Sequence, residues 1–271
     1  MKRSIETVAG TENTEDAIAS TSKKRARAQK TKVPAASTTA EPMPRGQVRV
    51  DRLPPRFAKN VSKKWPVVEG YKNVNVCSSG AGFWKELSPM LLGPIALCEW
   101  GIDPKTDLGK VRRGVEVPGQ CKRMENLWQF SKVFEEEVGE DLWPSVEFFR
   151  RRATAWKDPK GHRHSVKGAR VKYFLWGQEK LTFLEARKRI YCSVYASIVK
   201  KTKAYRELER LLNEGQNVQI LGYDGYDRGN KTWEECLNDL SRPFGHEMVL
   251  AALLDGVTPW EDGSQDVENV E

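Results

Sequence analysis

Glu125, Gln129 and Lys132 stand at i, i+4 and i+7 in the run from Met124 to Glu137. On a helical wheel they make one narrow polar stripe, because Met124, Leu127, Trp128, Phe130, Val133 and Phe134 cover most of the circumference. A surface helix shows the reverse proportions. The stripe is therefore either a thin solvent-facing edge or a polar notch presented to a cleft with apolar walls. In a notch, burial would disfavour the ammonium of Lys132 and make its amine a usable nucleophile, while the nearby Glu125 carboxylate would pull the other way.

A second candidate group follows the apolar run Val218-Gln219-Ile220-Leu221. There Gly222-Tyr223-Asp224-Gly225-Tyr226-Asp227 sets two carboxylates and two aromatics on a glycine-bent loop. A strand end of this kind can present Asp224 and Asp227 to a ligand; the alternative is that Asp224-Gly225 only supplies turn chemistry. Further on, Arg242, Gly245 and His246 precede an almost wholly apolar run to Leu254. A helix start there offers free amides beside an arginine, hence a phosphate cradle, although a buried helix needs those amides satisfied in any case.

Other motifs carry less. Cys77-Ser78-Ser79-Gly80-Ala81-Gly82 lacks the phosphate-loop pattern and reads as a turn, so no cofactor is expected. His162 and His164, at alternate positions of a short strand, have no third ligand at plausible spacing, so no metal is expected. The five cysteines are scattered and form no CxxC pair, which fits a reducing compartment.

The elements that must position these residues can be read coarsely. Short strands are expected at Val67-Val68 and Val74-Asn75-Val76, and a buried irregular stretch from Leu87 to Ile95. One helix should run from Met124 to Glu137 and another from Glu147 to Trp156 with a basic face at Arg150, Arg151 and Arg152. Thr182 with Glu185 forms a capping box opening a long helix through Val199. A further helix from Thr202 to Leu212 should be stopped by Gly215. The pattern is α+β and helix-rich, one globular domain with short strands over 50–260.

Charge divides the chain. Residues 1–64 hold 15 Lys and Arg against 6 Asp and Glu, whereas the remainder holds 30 against 31. Residues 1–49 hold almost no large apolar side chains and should be a disordered basic tail, and 261–271 an acidic one. Lys23, Lys24, Arg25 and Arg27 make a compact cluster that could be read by a nuclear import receptor, contact nucleic acid, or merely keep the tail solvated. The first option places the protein in the nucleus of a eukaryotic host, and otherwise the cytoplasm is expected. No apolar run is long enough for a membrane span, so no membrane partner is expected.

The segment Glu125-Asn-Leu-Trp-Gln-Phe-Ser-Lys132-Val-Phe134 resembles the signature helix of the NADAR family. Later elements are similar in order: a Leu-Leu-x-x-Gly helix end at Leu211 to Gly215, a strand leading to acidic and glycine-rich turns, and an apolar helix from Gly245. The matches span about Leu87 to Leu254; the stretch from Asp141 to Lys180 and the basic tail lie outside the familiar pattern. The resemblance implies an N-glycosidase acting on a ribose–base bond, including ADP-ribose attached to guanine. It implies that Lys132 attacks the anomeric carbon to form an imine, with Glu125 orienting it or exchanging protons. Gln129 and Trp128 would complete the site, Asp224 and Asp227 would bind ribose hydroxyls or act as general acid, and Arg242, Gly245 and His246 would hold phosphate. The chain is also similar to a group of proteins of large DNA viruses, phages and microbial eukaryotes, which supplies no mechanism. The alternative function is a non-catalytic nuclear or virion-associated nucleic-acid-binding protein using the tail and the arginine face.

Overall fold

A computed structural model describes residues 44–53, 67–80, 82–103, 115–139, 142–164 and 169–261. The basic cluster at Lys23, Lys24, Arg25 and Arg27 and nearly all of the acidic C-terminal segment lie outside them. Helices and strands are mixed. In chain order they are β1 (Val48–Arg52), β2 (Tyr71–Asn75), β3 (Ile95–Ala96), β4 (Gln120–Cys121), α1 (Met124–Gln129), β5 (Lys132–Phe134), α2 (Val146–Lys157), β6 (Val171–Trp176), β7 (Glu179–Leu181), α3 (Phe183–Ala186), α4 (Ser193–Val199), α5 (Lys203–Asn213), β8 (Asn217–Gly222), α6 (Trp233–Asn238) and α7 (His246–Leu254).

The apolar run at Val218 becomes β8, the central strand of a three-stranded parallel sheet in the order β1-β8-β2. A strand flanked on both edges and covered on its faces should be apolar throughout, and residues 218 to 222 are all buried. One buried polar residue, Gln219, donates through Nε2 to Asp51 Oδ2 of β1 at 2.6 Å. β1 includes Val48 and Arg49, so the ordered chain begins before the expected boundary at residue 50. Val67-Val68 forms no strand, and Val67 is exposed. α7 has all but His246 buried and contributes most of the core beside this sheet, with α4 and α5.

The helix expected from Met124 to Glu137 stops at Gln129. Ser131 Oγ donates to the Leu127 carbonyl at 2.7 Å, and the Leu175 amide takes the Ser131 carbonyl at 2.8 Å. Lys132 to Phe134 then leave the helix as β5, pairing antiparallel with β6, which pairs in turn with β7. Sheet pairing across the β-favouring Val133 and Phe134 overrides helical periodicity here.

α2 matches its expected span, with Ser145 as N-cap, but its arginines do not form a basic face. Arg152 is buried with its guanidinium 3.9 Å from the Trp156 ring centroid, and Arg151 is paired with Glu137. Only Arg150 is exposed, and Glu147 pairs with it. His162 and His164 sit on irregular chain rather than a strand: His162 Nε2 faces Asp158 Oδ2 at 2.8 Å, and His164 stacks on Phe130. Among the described residues no group of three His, Cys, Asp or Glu could hold a metal ion, and no helix is long and apolar enough to cross a membrane.

The capping box of Thr182 and Glu185 opens α3 as expected, and the helix continues to Val199 through a π-helical segment, Arg187–Cys192. Thr202 caps α5, and Gly215, with φ 81°, closes it in the left-handed conformation that glycine tolerates best.

Candidate functional site

α1 and the chain that follows it bring the polar stripe to the wall of a cavity of about 370 Å³. Glu125, Trp128, Gln129 and Lys132 line it, together with Asp224 from the end of β8 and Gly245, His246 and Glu247 from the start of α7. Residues 99 positions apart, Glu125 and Asp224, thus share one recess. Trp128, Phe183 and Tyr191 supply aromatic walls, and Arg163 and Arg187 also reach it.

The three stripe residues form a relay although no single helix carries them. Lys132 Nζ donates to Gln129 Oε1 at 2.6 Å, and Gln129 Nε2 donates to Glu125 Oε1 at 2.8 Å. The amine also lies 5.6 Å from the Trp128 ring centroid. Burial lowers the Lys132 pKa, and the Glu125 carboxylate offsets this in part. Trp128 is itself fixed by stacking on Phe174 of β6 and by Tyr191 at 5.1 Å.

Asn126, fully buried beside Glu125, holds the loop that carries Arg163 to the cavity. Its Nδ2 donates to the carbonyls of Ala155 and Lys160 at 2.9 and 2.7 Å, and its Oδ1 accepts from the His162 amide at 2.7 Å. The π-helical segment sets two further residues into the wall. Arg187 is buried and donates to the carbonyls of Leu237, Asp239 and Arg242, tying the chain ahead of α7 to the cavity. Burial lowers its pKa, yet an arginine remains charged. Burial raises the hydroxyl pKa of Tyr191, and the carboxylates of Glu125 and Glu247 reinforce it. Tyr191 is thus a neutral phenol at ordinary pH, within the influence of two acidic groups. Cys77, also in the wall, is pushed up to about 11 by burial first and by the charge of Glu247 second. It stays a thiol at neutral pH.

Three expected site residues are placed differently. Asp227 does not line the cavity: it is about half exposed, pairs with Arg49 at 3.1 Å, and borders a separate recess with Tyr71 and Trp233. Between Asp224 and Asp227 the chain passes close against β1 at Gly225, where a Cβ would lie 2.8 Å from the Asp51 carbonyl oxygen. Arg242 borders a neighbouring recess of about 300 Å³, with its guanidinium 5.1 Å from the Tyr226 ring centroid. That recess adjoins the cavity through Tyr223, Asp224 and Pro243, and Arg52 stands in it as well. Gly245 lines the cavity, but no open phosphate cradle surrounds it. A Cβ there would lie 2.4 Å from Glu247 Oε2 and 2.9 Å from Asp224 Cβ, so a carboxyl group already occupies the start of α7.

Glu247, Tyr191, Arg187 and Arg163 were not singled out from sequence. Glu247 carried a visible signal, a charged residue opening an otherwise apolar helix. The others depend on the π-helical segment and on Asn126, which no local pattern announces.

Comparison with protein-family models, with curated proteins and with solved structures finds no match for this chain.

Proposed function

We propose that this chain is an N-glycosidase with an α+β, NADAR-like domain over residues 50–260, hydrolysing a ribose–base bond with Lys132 as nucleophile. ADP-ribose attached to a nucleobase is the candidate substrate. The observation that carries the proposal is the state of the Lys132 amine. It sits in the cavity wall, half-buried, bonded to an amide oxygen rather than to a carboxylate, with its pKa lowered by burial. A lysine needs that setting to be neutral often enough to attack.

In the proposed reaction the amine attacks the anomeric carbon and the base departs. The resulting glycosylamine opens to an imine, and water releases the sugar and restores Lys132. Gln129 aims the amine by accepting its hydrogen bond. Glu125, one residue beyond the direct contact, steadies Gln129 and offsets part of the burial penalty on the ammonium. Trp128, Phe183 and Tyr191 offer flat apolar surface of the kind a heterocyclic base stacks on. Asp224, exposed at the junction of the two recesses, suits ribose hydroxyls. Arg52 and Arg242 in the adjoining recess suit the phosphates of a substrate that spans both.

The test is release of ADP-ribose from ADP-ribosylated guanosine. Lys132→Ala should abolish release while leaving the denaturation curve cooperative, and undiminished release by that variant would remove the lysine mechanism.

A further inference from the structure

Tyr191 and Tyr195 stand one turn apart on the helix that runs from α3 through the π-helical segment into α4. Their rings stack nearly parallel, with centroids 6.4 Å apart and planes 12° apart. Their hydroxyls are used differently. That of Tyr195 donates to the Leu87 carbonyl at 2.7 Å, so the fold takes it up. That of Tyr191 has no hydrogen-bond partner among the described residues. A phenol held inside a protein ordinarily has one. Nor is this hydroxyl sealed in the core, as the unpartnered indole nitrogens of Trp156 and Trp260 are. Its side chain lines the cavity that holds Lys132, so it is open to whatever occupies that space.

Trp128 relates the phenol to the nucleophile. The rings of Tyr191 and Trp128 lie 5.1 Å apart at 58°, so Tyr191 walls the recess at an angle to the indole rather than stacked on it. Lys132 Nζ lies 5.6 Å from the same indole. Burial, followed by the charges of Glu125 and Glu247, holds the phenolic proton in place. A phenol in that state donates a hydrogen bond to developing negative charge without surrendering its proton. The π-helical turn that carries it is itself a departure found frequently at functional sites.

Resting on the glycosidase reading, we infer that the Tyr191 hydroxyl donates a hydrogen bond to the departing base and stabilises the charge that the base takes up. The base this fits is a heterocycle with an acceptor, a carbonyl oxygen or ring nitrogen, conjugated with the nitrogen that leaves. As the bond from Lys132 Nζ to the anomeric carbon forms, the carbon–nitrogen bond breaks. Its electron pair passes to the base and spreads to that acceptor, where the Tyr191 hydrogen bond tightens while the proton stays on the phenol. The base then takes a proton from water, the new secondary ammonium on Lys132 sheds one to water, and hydrolysis of the imine consumes one water overall.

Tyr191→Phe removes the hydroxyl and keeps the ring. Its urea midpoint should match the wild type, whereas Tyr195→Phe should lower the midpoint. A fall in Tyr191→Phe as large as that in Tyr195→Phe assigns the hydroxyl to the fold and overturns the inference. The variant should cleave ADP-ribosylated guanosine with kcat lowered about tenfold or more, the scale of one hydrogen bond to a charged group, and with KM changed far less. Cleavage of NAD⁺, whose nicotinamide departs neutral and takes up no negative charge, should change far less. Either substrate alone decides: an unchanged kcat on the guanosine, or a loss on NAD⁺ as large as that expected on the guanosine, overturns this inference and leaves the glycosidase reading standing. Wild-type protein that cleaves neither substrate overturns the glycosidase reading and this inference with it.

Discussion

Lys132 and Glu125 meet only through the side-chain amide of Gln129, which accepts from one and donates to the other. A direct contact would stabilise the ammonium strongly and suppress the neutral amine. The interposed amide keeps the carboxylate close enough to matter without letting it dominate, and burial prevails.

This arrangement sets the sign of a pH experiment. Glu125→Gln removes the charge that raises the Lys132 pKa, so that pKa should fall further. Since only the neutral amine reacts, the rising limb of Lys132 reductive methylation against pH should move to lower pH in the variant. Gln129→Glu should move it the other way. Peptide mass mapping at Lys132 reads both, and an upward move in Glu125→Gln would contradict the electrostatic assignment.

Burial of Lys132 should also cost stability. With the folded-state pKa below the unfolded value, the folded state binds the proton less tightly. The cost is full at pH below the folded value and vanishes as pH rises through the unfolded value. Lys132→Met should therefore stabilise the protein by about 1 kcal/mol at neutral pH, the usual scale for relieving strain at an active site. Urea denaturation at neutral and strongly alkaline pH checks this, and the gain should shrink at the alkaline end.

The glycine at the end of β8 offers a test of packing. The three atoms nearest a Cβ on Gly222 all belong to Glu247, so Gly222→Ala should cost about 3 kcal/mol by overpacking. Glu247→Ala in the same chain should recover much of it. A double variant less stable than Gly222→Ala alone would mean that the clash lies elsewhere.

Arg187 should act through geometry as well as charge. Its guanidinium reaches three carbonyls, one in the last turn of α6 and two on the chain from there to α7, a span that a lysine ammonium cannot reproduce. Arg187→Lys should lose about 2 to 3 kcal/mol, from buried carbonyls left without donors. Amide exchange should quicken across residues 237–245 in particular, and uniform quickening would count against this role.

Much of the cavity was legible in sequence, for unequal reasons. The stripe of Glu125, Gln129 and Lys132 pointed to a shared site, and the three do converge. Their helical spacing was the wrong cause, because Lys132 is delivered by β5, which pairs antiparallel with β6, about 40 residues further along the chain. Long-range pairing of that kind leaves no trace in a local window. Caps were readable where side chain and backbone close a ring within four residues, as at Thr182 and Thr202; the same signal at Thr232 and Glu235, which opens α6, went unread. Asp227 misled because two loop carboxylates only three residues apart line different recesses, Asp224 the cavity and Asp227 the one beside Arg49.

A covalent bond between Lys132 Nζ and the sugar is the step on which the proposed reaction depends. ADP-ribosylated guanosine mixed with the wild-type chain and borohydride should leave a reduced sugar adduct on the peptide that contains Lys132, and Lys132→Ala should give none. An adduct on another residue, or turnover of substrate with no trapped adduct, would contradict Lys132 as the nucleophile.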